Sequence, residues 1–236
     1  MDRGLLAETA SVGGFFALRA GEPEPGHRPL ADVYAGENSL LTVRVDAVAA
    51  GLRAPERRVA ASVAHLGLAA RLWSVALGGA ALHGRVPDLD PALLYWDPAR
   101  SAPDDLVLRE VRGLPGDAVT VRETVQARHL VPLAEALRRD TRVSPRLLWG
   151  NAGSALAGAV RELGAWSRRT GRPEAAERAV SLADALFAGP GLAGTVQGPA
   201  LRRRTCCLYY RCPSGGLCGD CVFDRPPGRR HSSGRA

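Results

Sequence analysis

The chain has 236 residues, 46% of them hydrophobic and 23% charged, with a formal net charge of +7. It is long enough to bury a core unaided and too apolar to stay unfolded, which excludes a disulfide mini-scaffold and a disordered tail protein. All 31 basic residues are arginine, and the excess is local: from Leu201 onward eight arginines face Asp220 and Asp224, giving that stretch +6 and leaving the rest at +1.

A spanning helix needs about 20 predominantly apolar residues. The longest uncharged run, Ala185 to Leu201, has 17 residues but carries four Gly and two Pro. No transmembrane segment is expected on that count. Asp2, Arg3 and Glu8 interrupt any apolar leader, so the expected location is cytoplasmic.

In chain order the body reads as mainly α. Asn38 and Ser39 can cap a helix with the stripe Leu41, Val45, Val48, Leu52, and Pro55 restarts the chain. Val59, Val63, Leu66, Ala70, Trp73 and Leu77 step by four and three in the longest periodic segment, which ends at His83-Gly84 and Pro87. Leu93–Trp96 and Leu106–Leu108 are short apolar runs bounded by Pro and Asp, expected as strands. Residues 113–120 read as turns, and 128–139 as a short helix around Pro132.

Ser144-Pro145 opens a further helix with the stripe Leu148, Ala152, Leu156, Ala159, Leu163, Trp166, terminated by Gly171. One more starts at Pro173, with Ala176, Val180, Ala183 and Phe187 inward. Gly and Pro then dominate from Ala188 to Pro199, a linker signal. The expected organisation is a helical body with a short β region over 1–188, a linker and cysteine-rich loop over 189–225, and a disordered basic tail over 226–236.

All five cysteines fall between Cys206 and Cys221. A stabilising disulfide framework would spread them to close long loops, and this one does not. Cys218-Gly219-Asp220-Cys221 is a C-x-x-C pair, and the turn Ser214-Gly215-Gly216 can fold it back onto Cys206-Cys207. Four converging thiolates suit Zn²⁺ or an iron–sulfur cluster. Structural zinc usually takes two C-x₂₋₄-C knuckles, whereas here one pair is vicinal, and vicinal side chains on an extended backbone point apart. The spacing therefore favours a two-iron cluster and leaves zinc open.

The pattern C-C-x₁₀-C-x₂-C, with Arg202-Arg203-Arg204-Thr205 before it, Leu208-Tyr209-Tyr210 inside it and Gly216–Cys221 closing it, resembles the ending of FhuF-type ferric siderophore reductases. Pro145–Asn151 and His65–Arg71 are similar to that family's helical body. The resemblance implies a [2Fe–2S] cluster on Cys206, Cys207, Cys218 and Cys221, and reduction of iron(III) held by a siderophore, of hydroxamate type. Cys212 stands outside the pattern and reads as an ordinary extra cysteine.

Neither a Gly-rich dinucleotide loop, a P-loop nor a nucleophile elbow is present in the sequence. Electrons would therefore come from a partner such as a ferredoxin, a flavodoxin or a flavin reductase. A four-thiolate [2Fe–2S] cluster is a formal dianion that reduction makes more negative. Arg202, Arg203, Arg204 and Arg211 are candidates to offset that charge or to steer acidic partners. No nucleic-acid partner is expected, because the body is almost neutral. His65 reads as a semi-buried, hydrogen-bonded histidine, Trp73, Trp149 and Trp166 as core, and Asn151 as a helix cross-link. Two rival classes remain, a non-enzymatic iron–sulfur carrier or sensor and a zinc-binding interaction module.

Overall fold

The helix that carries the longest apolar stripe becomes the centre of the molecule, with Val59, Trp73 and Leu77 of the stripe buried and Val63, Leu66 and Ala70 half-buried. In the computed structural model, which describes residues 1–36 and 39–227, the helices are α1 (Arg3–Ala10), α2 (Leu30–Ala35), α3 (Leu40–Leu52), α4 (Arg57–His83), α5 (Ala118–Val121), α6 (Val131–Asp140), α7 (Pro145–Thr170) and α8 (Pro173–Phe187). Helix α4 packs against α1, α3, α7 and α8. Val59, Leu72, Trp73 and Leu77 are wholly buried on it. Its Gly-Ala-rich surface lets neighbours approach closely, and Gly84 ends it in the left-handed conformation (φ 65°) that glycine adopts most easily. Mainly α is the observed class.

Helix α4 is also long and apolar enough to cross a membrane by length and composition, which corrects the count of uncharged runs. The count stopped at Arg71. That arginine is buried and ion-paired, its Nε donating to Asp105 Oδ1 at 2.8 Å while Nη1 reaches the carbonyls of Gly14 and Phe15. Of the apolar window, 78% is buried inside this fold.

The strands are short: β1 (Arg19–Ala20), β2 (Arg28–Pro29), β3 (Arg85–Pro87), β4 (Leu94–Trp96), β5 (Leu106–Leu108), β6 (Gly113–Pro115), β7 (Val196–Gln197) and β8 (Arg202–Arg203). The two expected strands pair antiparallel as β4 and β5, with Tyr95 opposite Val107, inside a sheet ordered β1-β5-β4-β2. Strand β6 pairs with β3, and β7 with β8.

Three local expectations change. The region read as turns and a short helix is helical from Ala118 to Asp140, with a π-helical stretch at Arg122–Leu130. Asp117 caps its start by accepting from Thr120 N at 2.8 Å. Pro132 lacks an N–H and would meet the carbonyl four residues back in a regular α-helix, and the wider π turn ahead of it relieves that contact. Helix α1 forms because Asp2 accepts from Leu5 N at 3.0 Å, a cap that reads in the sequence only as a charge.

Helix α8 buries Ala183 as expected, but its other buried positions, Ala175, Ala179 and Leu186, each lie one residue before the expected Ala176, Val180 and Phe187, and Val180 is 48% exposed. The alanine face packs closely, and it places Arg178 to donate to the carbonyls of Ala81 and Leu82 at the end of α4. At the start of α3, Ser39 has φ 53° and makes no side-chain cap, and Asn38 lies outside the described residues. So do residues 228–236 of the expected basic tail.

Candidate functional site

The cysteine loop sits across the N-terminal halves of α4 and α7. The chain reaches it through residues that pack on the body: Leu192 is fully buried, and Thr195 Oγ1 donates to Leu192 O at 2.6 Å. Strand β8 then carries Arg202 and Arg203 into the loop.

Two glycines on α7 admit this segment. A Cβ on Gly150 would stand 1.8 Å from Thr205 Oγ1, and one on Gly153 would stand 2.2 Å from Thr195 Oγ1. No side chain can occupy either position while the segment lies there. Between the glycines is Asn151, wholly buried. Its Nδ2 donates to Ser62 O at 2.8 Å and to Ser62 Oγ at 3.0 Å, and its Oδ1 accepts from Nη2 of Arg203. Ser62 Oγ donates in turn to Cys207 O at 2.8 Å. One turn further along α7, Ser154 Oγ donates to the Asp220 carboxylate. Backbone N–H of Arg203 donates to Asp220 O at 3.1 Å, joining the two halves of the cysteine motif.

The thiols of Cys207 and Cys218 lie 3.6 Å apart. Cys207 and Cys221 are buried, and Cys206 and Cys218 are half-buried, so the group has an inner and an outer edge. Leu208 takes a left-handed turn (φ 69°) that aims its N–H at Cys206 Sγ, 3.2 Å away, and Phe223 N approaches Cys221 Sγ at 3.5 Å. Hydrogen bonding with the neighbouring Cys207 and with the Leu208 N–H lowers the pKa of Cys206 to about 7. The same bond raises Cys207, and Cys218 is pushed well up, chiefly by its bond to Cys207. Cys212 is fully buried, and its thiol is raised by desolvation alone.

The four arginines part company. Arg203 is wholly buried. Arg202 donates to Cys221 O at 2.6 Å and pairs with Asp224 at 2.8 Å, Arg211 pairs with Glu56, and Arg204 is exposed. His65 is buried with its Nδ1 unpartnered, and its pKa falls to about 3 through desolvation and the charge of Arg203. Its expected hydrogen bond is missing at that nitrogen. Trp73 and Trp166 are core and Trp149 is partly buried. Tyr210 meets Phe223 edge-on at 5.9 Å between ring centroids.

The close Cys207–Cys218 pair, the backbone N–H groups directed at Cys206 and Cys221, and the buried Arg203 in the same segment are chemistry that suits an anionic thiolate-bound cluster. Among the described residues, no three His, Cys, Asp or Glu side chains converge closely enough to hold a metal ion as the chain stands.

A family profile described as "Ferric iron reductase FhuF-like transporter" matches residues 59–208, well over half of the chain. The chain belongs to the FhuF-like family. A second profile, "FhuF 2Fe-2S C-terminal domain", matches residues 203–223, the cysteine loop itself, and the cofactor of the FhuF-like chain is a [2Fe–2S] cluster. A ferric siderophore reductase of Escherichia coli (strain K12) is 31% identical over 112 residues, which cover 43% of this chain and 40% of that protein. The chain thus aligns over less than half the length of this relative.

Asn151 cross-links α7 to α4 through Ser62 as expected, whereas its bond to Arg203 and the roles of Ser62, Gly150 and Gly153 were missed by sequence reasoning. Their one signal is the run Trp149-Gly150-Asn151-Ala152-Gly153, whose glycines and buried amide are costly inside a helix unless something packs against them.

Proposed function

We propose that this FhuF-like chain reduces iron(III) in a ferric siderophore, one electron at a time, through a [2Fe–2S] cluster held by Cys206, Cys207, Cys218 and Cys221. The observation that supports the reading is the approach of the Cys207 and Cys218 thiols to 3.6 Å in the segment that matches the 2Fe-2S domain. When bound, the cluster supplies single electrons, which a reduced ferredoxin, flavodoxin or flavin reductase replaces. Siderophores, including the hydroxamate type proposed here, hold iron(III) with hard oxygen donors. Iron(II) has lower charge density, so reduction loosens the complex and frees the metal.

The chain's own residues fix and insulate the site. Ser62 and Asn151 hold the Cys207 end, Ser154 holds the Asp220 end, and burial of Cys207 and Cys221 keeps water from the inner edge. The half-buried Cys206 and Cys218 mark the edge open to substrate and donor. An apolar cleft of about 350 Å³, lined by Phe15, Leu66, Ala70 and Gly158, opens beside Ser154 and is the proposed seat for the organic part of the substrate. The proposed location is the cytoplasm, where the released iron(II) would be used.

The test is anaerobic purification with iron and acid-labile sulfide counted in the same sample, followed by mixing dithionite-reduced protein with ferric hydroxamates. Near-equal iron and sulfide, and oxidation of the reduced protein as iron(II) appears, are expected. A loaded cluster that transfers no electron to any ferric siderophore would make the protein a carrier or sensor, and stoichiometric zinc without sulfide would remove the redox reading altogether.

A further inference from the structure

One buried charge in this site has no anion of its own. The Arg203 guanidinium is wholly buried, yet its partners are neutral: Nε donates to Thr205 O at 2.6 Å and Nη2 to Asn151 Oδ1. Nη1 has no hydrogen-bond partner among the described residues. The nearest acidic residue in the loop, Asp220, directs its carboxylate to Ser154 instead. Burying a cation this way is strongly unfavourable unless a counter-charge sits beside it. Its neighbours in sequence show the contrast, since Arg202 and Arg211 have carboxylate partners and Arg204 faces solvent.

Arg203 lies between the two halves of the cysteine motif: its Nε donates to the carbonyl of Thr205, the residue before Cys206, and its backbone N–H donates at 3.1 Å to the carbonyl of Asp220, between Cys218 and Cys221. Asn151, a helix residue, holds the guanidinium in place.

We propose that Arg203 is the internal counter-ion of the cluster, a fixed and desolvated cation that favours binding of the dianionic group and raises its reduction potential. This rests on the cluster assignment to Cys206, Cys207, Cys218 and Cys221. Inside the protein its field is weakly screened, whereas those of Arg204 and the carboxylate-paired Arg202 and Arg211 are largely cancelled by water or partner. Reduction adds negative charge beside the cation, so the reduced state gains more from it than the oxidised state. The same residue has opposite effects on the two forms of the protein: it stabilises the loaded fold and burdens the metal-free one.

The test compares full-length wild type with Arg203→Gln, Arg203→Lys and Arg204→Gln in two measurements, the midpoint potential of the loaded protein and urea unfolding of the chelator-treated protein. Arg203→Gln is expected to shift the redox equilibrium roughly tenfold toward the oxidised state, about 59 mV for one electron. Arg203→Lys should keep most of the wild-type potential, and Arg204→Gln should move it far less than Arg203→Gln does. Metal-free Arg203→Gln should resist urea at least as well as metal-free wild type.

If Arg203→Gln is stable when metal-free but cannot retain a cluster, the counter-ion role is supported, with the potential then read from Arg203→Lys. A loaded Arg203→Gln with an unchanged potential overturns the inference and leaves the cluster assignment standing. A metal-free Arg203→Gln that unfolds at markedly lower urea also overturns it, since Arg203 would then be a brace. Wild-type protein that takes up no iron and sulfide on reconstitution overturns the assignment itself, and the inference with it.

Discussion

Asn151 Oδ1 accepts a hydrogen bond from Nη2 of Arg203 in the buried seam between α7 and the cysteine loop. The other end of the amide is committed to Ser62 on α4, so one side chain ties two helices to the segment that carries the cysteines. Asn151→Ala strands buried groups on both sides and should cost about 1–3 kcal/mol. Thermal unfolding would show the loss, and release of iron to a chelator should be faster than in wild type.

Gly150→Ala tests the close approach of the loop. Alanine favours helix, so an isolated α7 would gain about 1 kcal/mol. In this fold the new methyl collides with Thr205 Oγ1, and the expected result is a net loss of stability with poor cluster retention. Adding Thr205→Ala removes that oxygen and leaves Thr205 Cβ, 3.1 Å from the new carbon, as the nearest loop atom. The double variant should recover part of the loss, and a double-mutant cycle with no coupling would count against the contact.

Two buried histidines make the fold sensitive to acid. His129 Nε2 donates to Leu89 O at 2.6 Å while Nδ1 accepts from the Tyr34 hydroxyl at 2.7 Å. Burial holds its pKa at about 4, and that of His65 at about 3. The unfolded chain takes up these protons near pH 6.5, before the folded one does. Stability present at neutral pH is therefore lost as pH falls below about 6.5 toward those folded values, by at most about 1.4 kcal/mol per unit per histidine. Urea unfolding of metal-free protein from pH 7 to 4 should show this slope, and His129→Gln should flatten part of it.

Cys212 is chemically apart from the other four. Cys212→Ala should keep the visible chromophore and cost about 1 kcal/mol for a small void. Cys207→Ser and Cys218→Ser should each lose the chromophore. Retention of a normal spectrum in either would remove that residue from the ligand set.

Reactivity should rank the thiols of metal-free protein. Cys206 has its pKa lowered to about 7, whereas Cys207, Cys212 and Cys218 are raised. At pH 7.5 more than half of Cys206 would be thiolate, so brief iodoacetamide treatment and peptide mapping should find it modified ahead of those three. Equal labelling of Cys206 and Cys212 would contradict the ranking.

Much of this was legible before any coordinates. The stripe from Val59 to Leu77 marks α4 because an apolar surface at helical spacing must be buried, and Ser144-Pro145 with Gly171 brackets α7 by known end chemistry. The cysteine spacing likewise identified the loop. What escaped depended on partners distant in sequence. Asn151 reads in the sequence as a helix cross-link, but its partners Ser62 and Arg203 are identified only when they lie beside it, and four arginines of one segment cannot be ranked until one is buried. On helix α8 the expected stripe followed the larger apolar side chains, whereas the alanine face packs inward and Arg178 reaches the carbonyls at the end of α4.

The attachment of the loop to α7 sets what can vary in it. The Arg203 end is held at Asn151 and the Asp220 end at Ser154, three residues on along the same rigid helix. The separation of the two cysteine pairs is therefore measured by one turn of helix rather than by the ten residues that join Cys207 to Cys218. That connecting stretch works as slack. A residue added in its open part, between Gly216 and Leu217, would be absorbed as a bulge, whereas one added between Asn151 and Ser154 would turn one anchor point about 100° around the helix relative to the other and move it about 1.5 Å along the axis. The ruler for this site lies outside the motif by which the site is recognised.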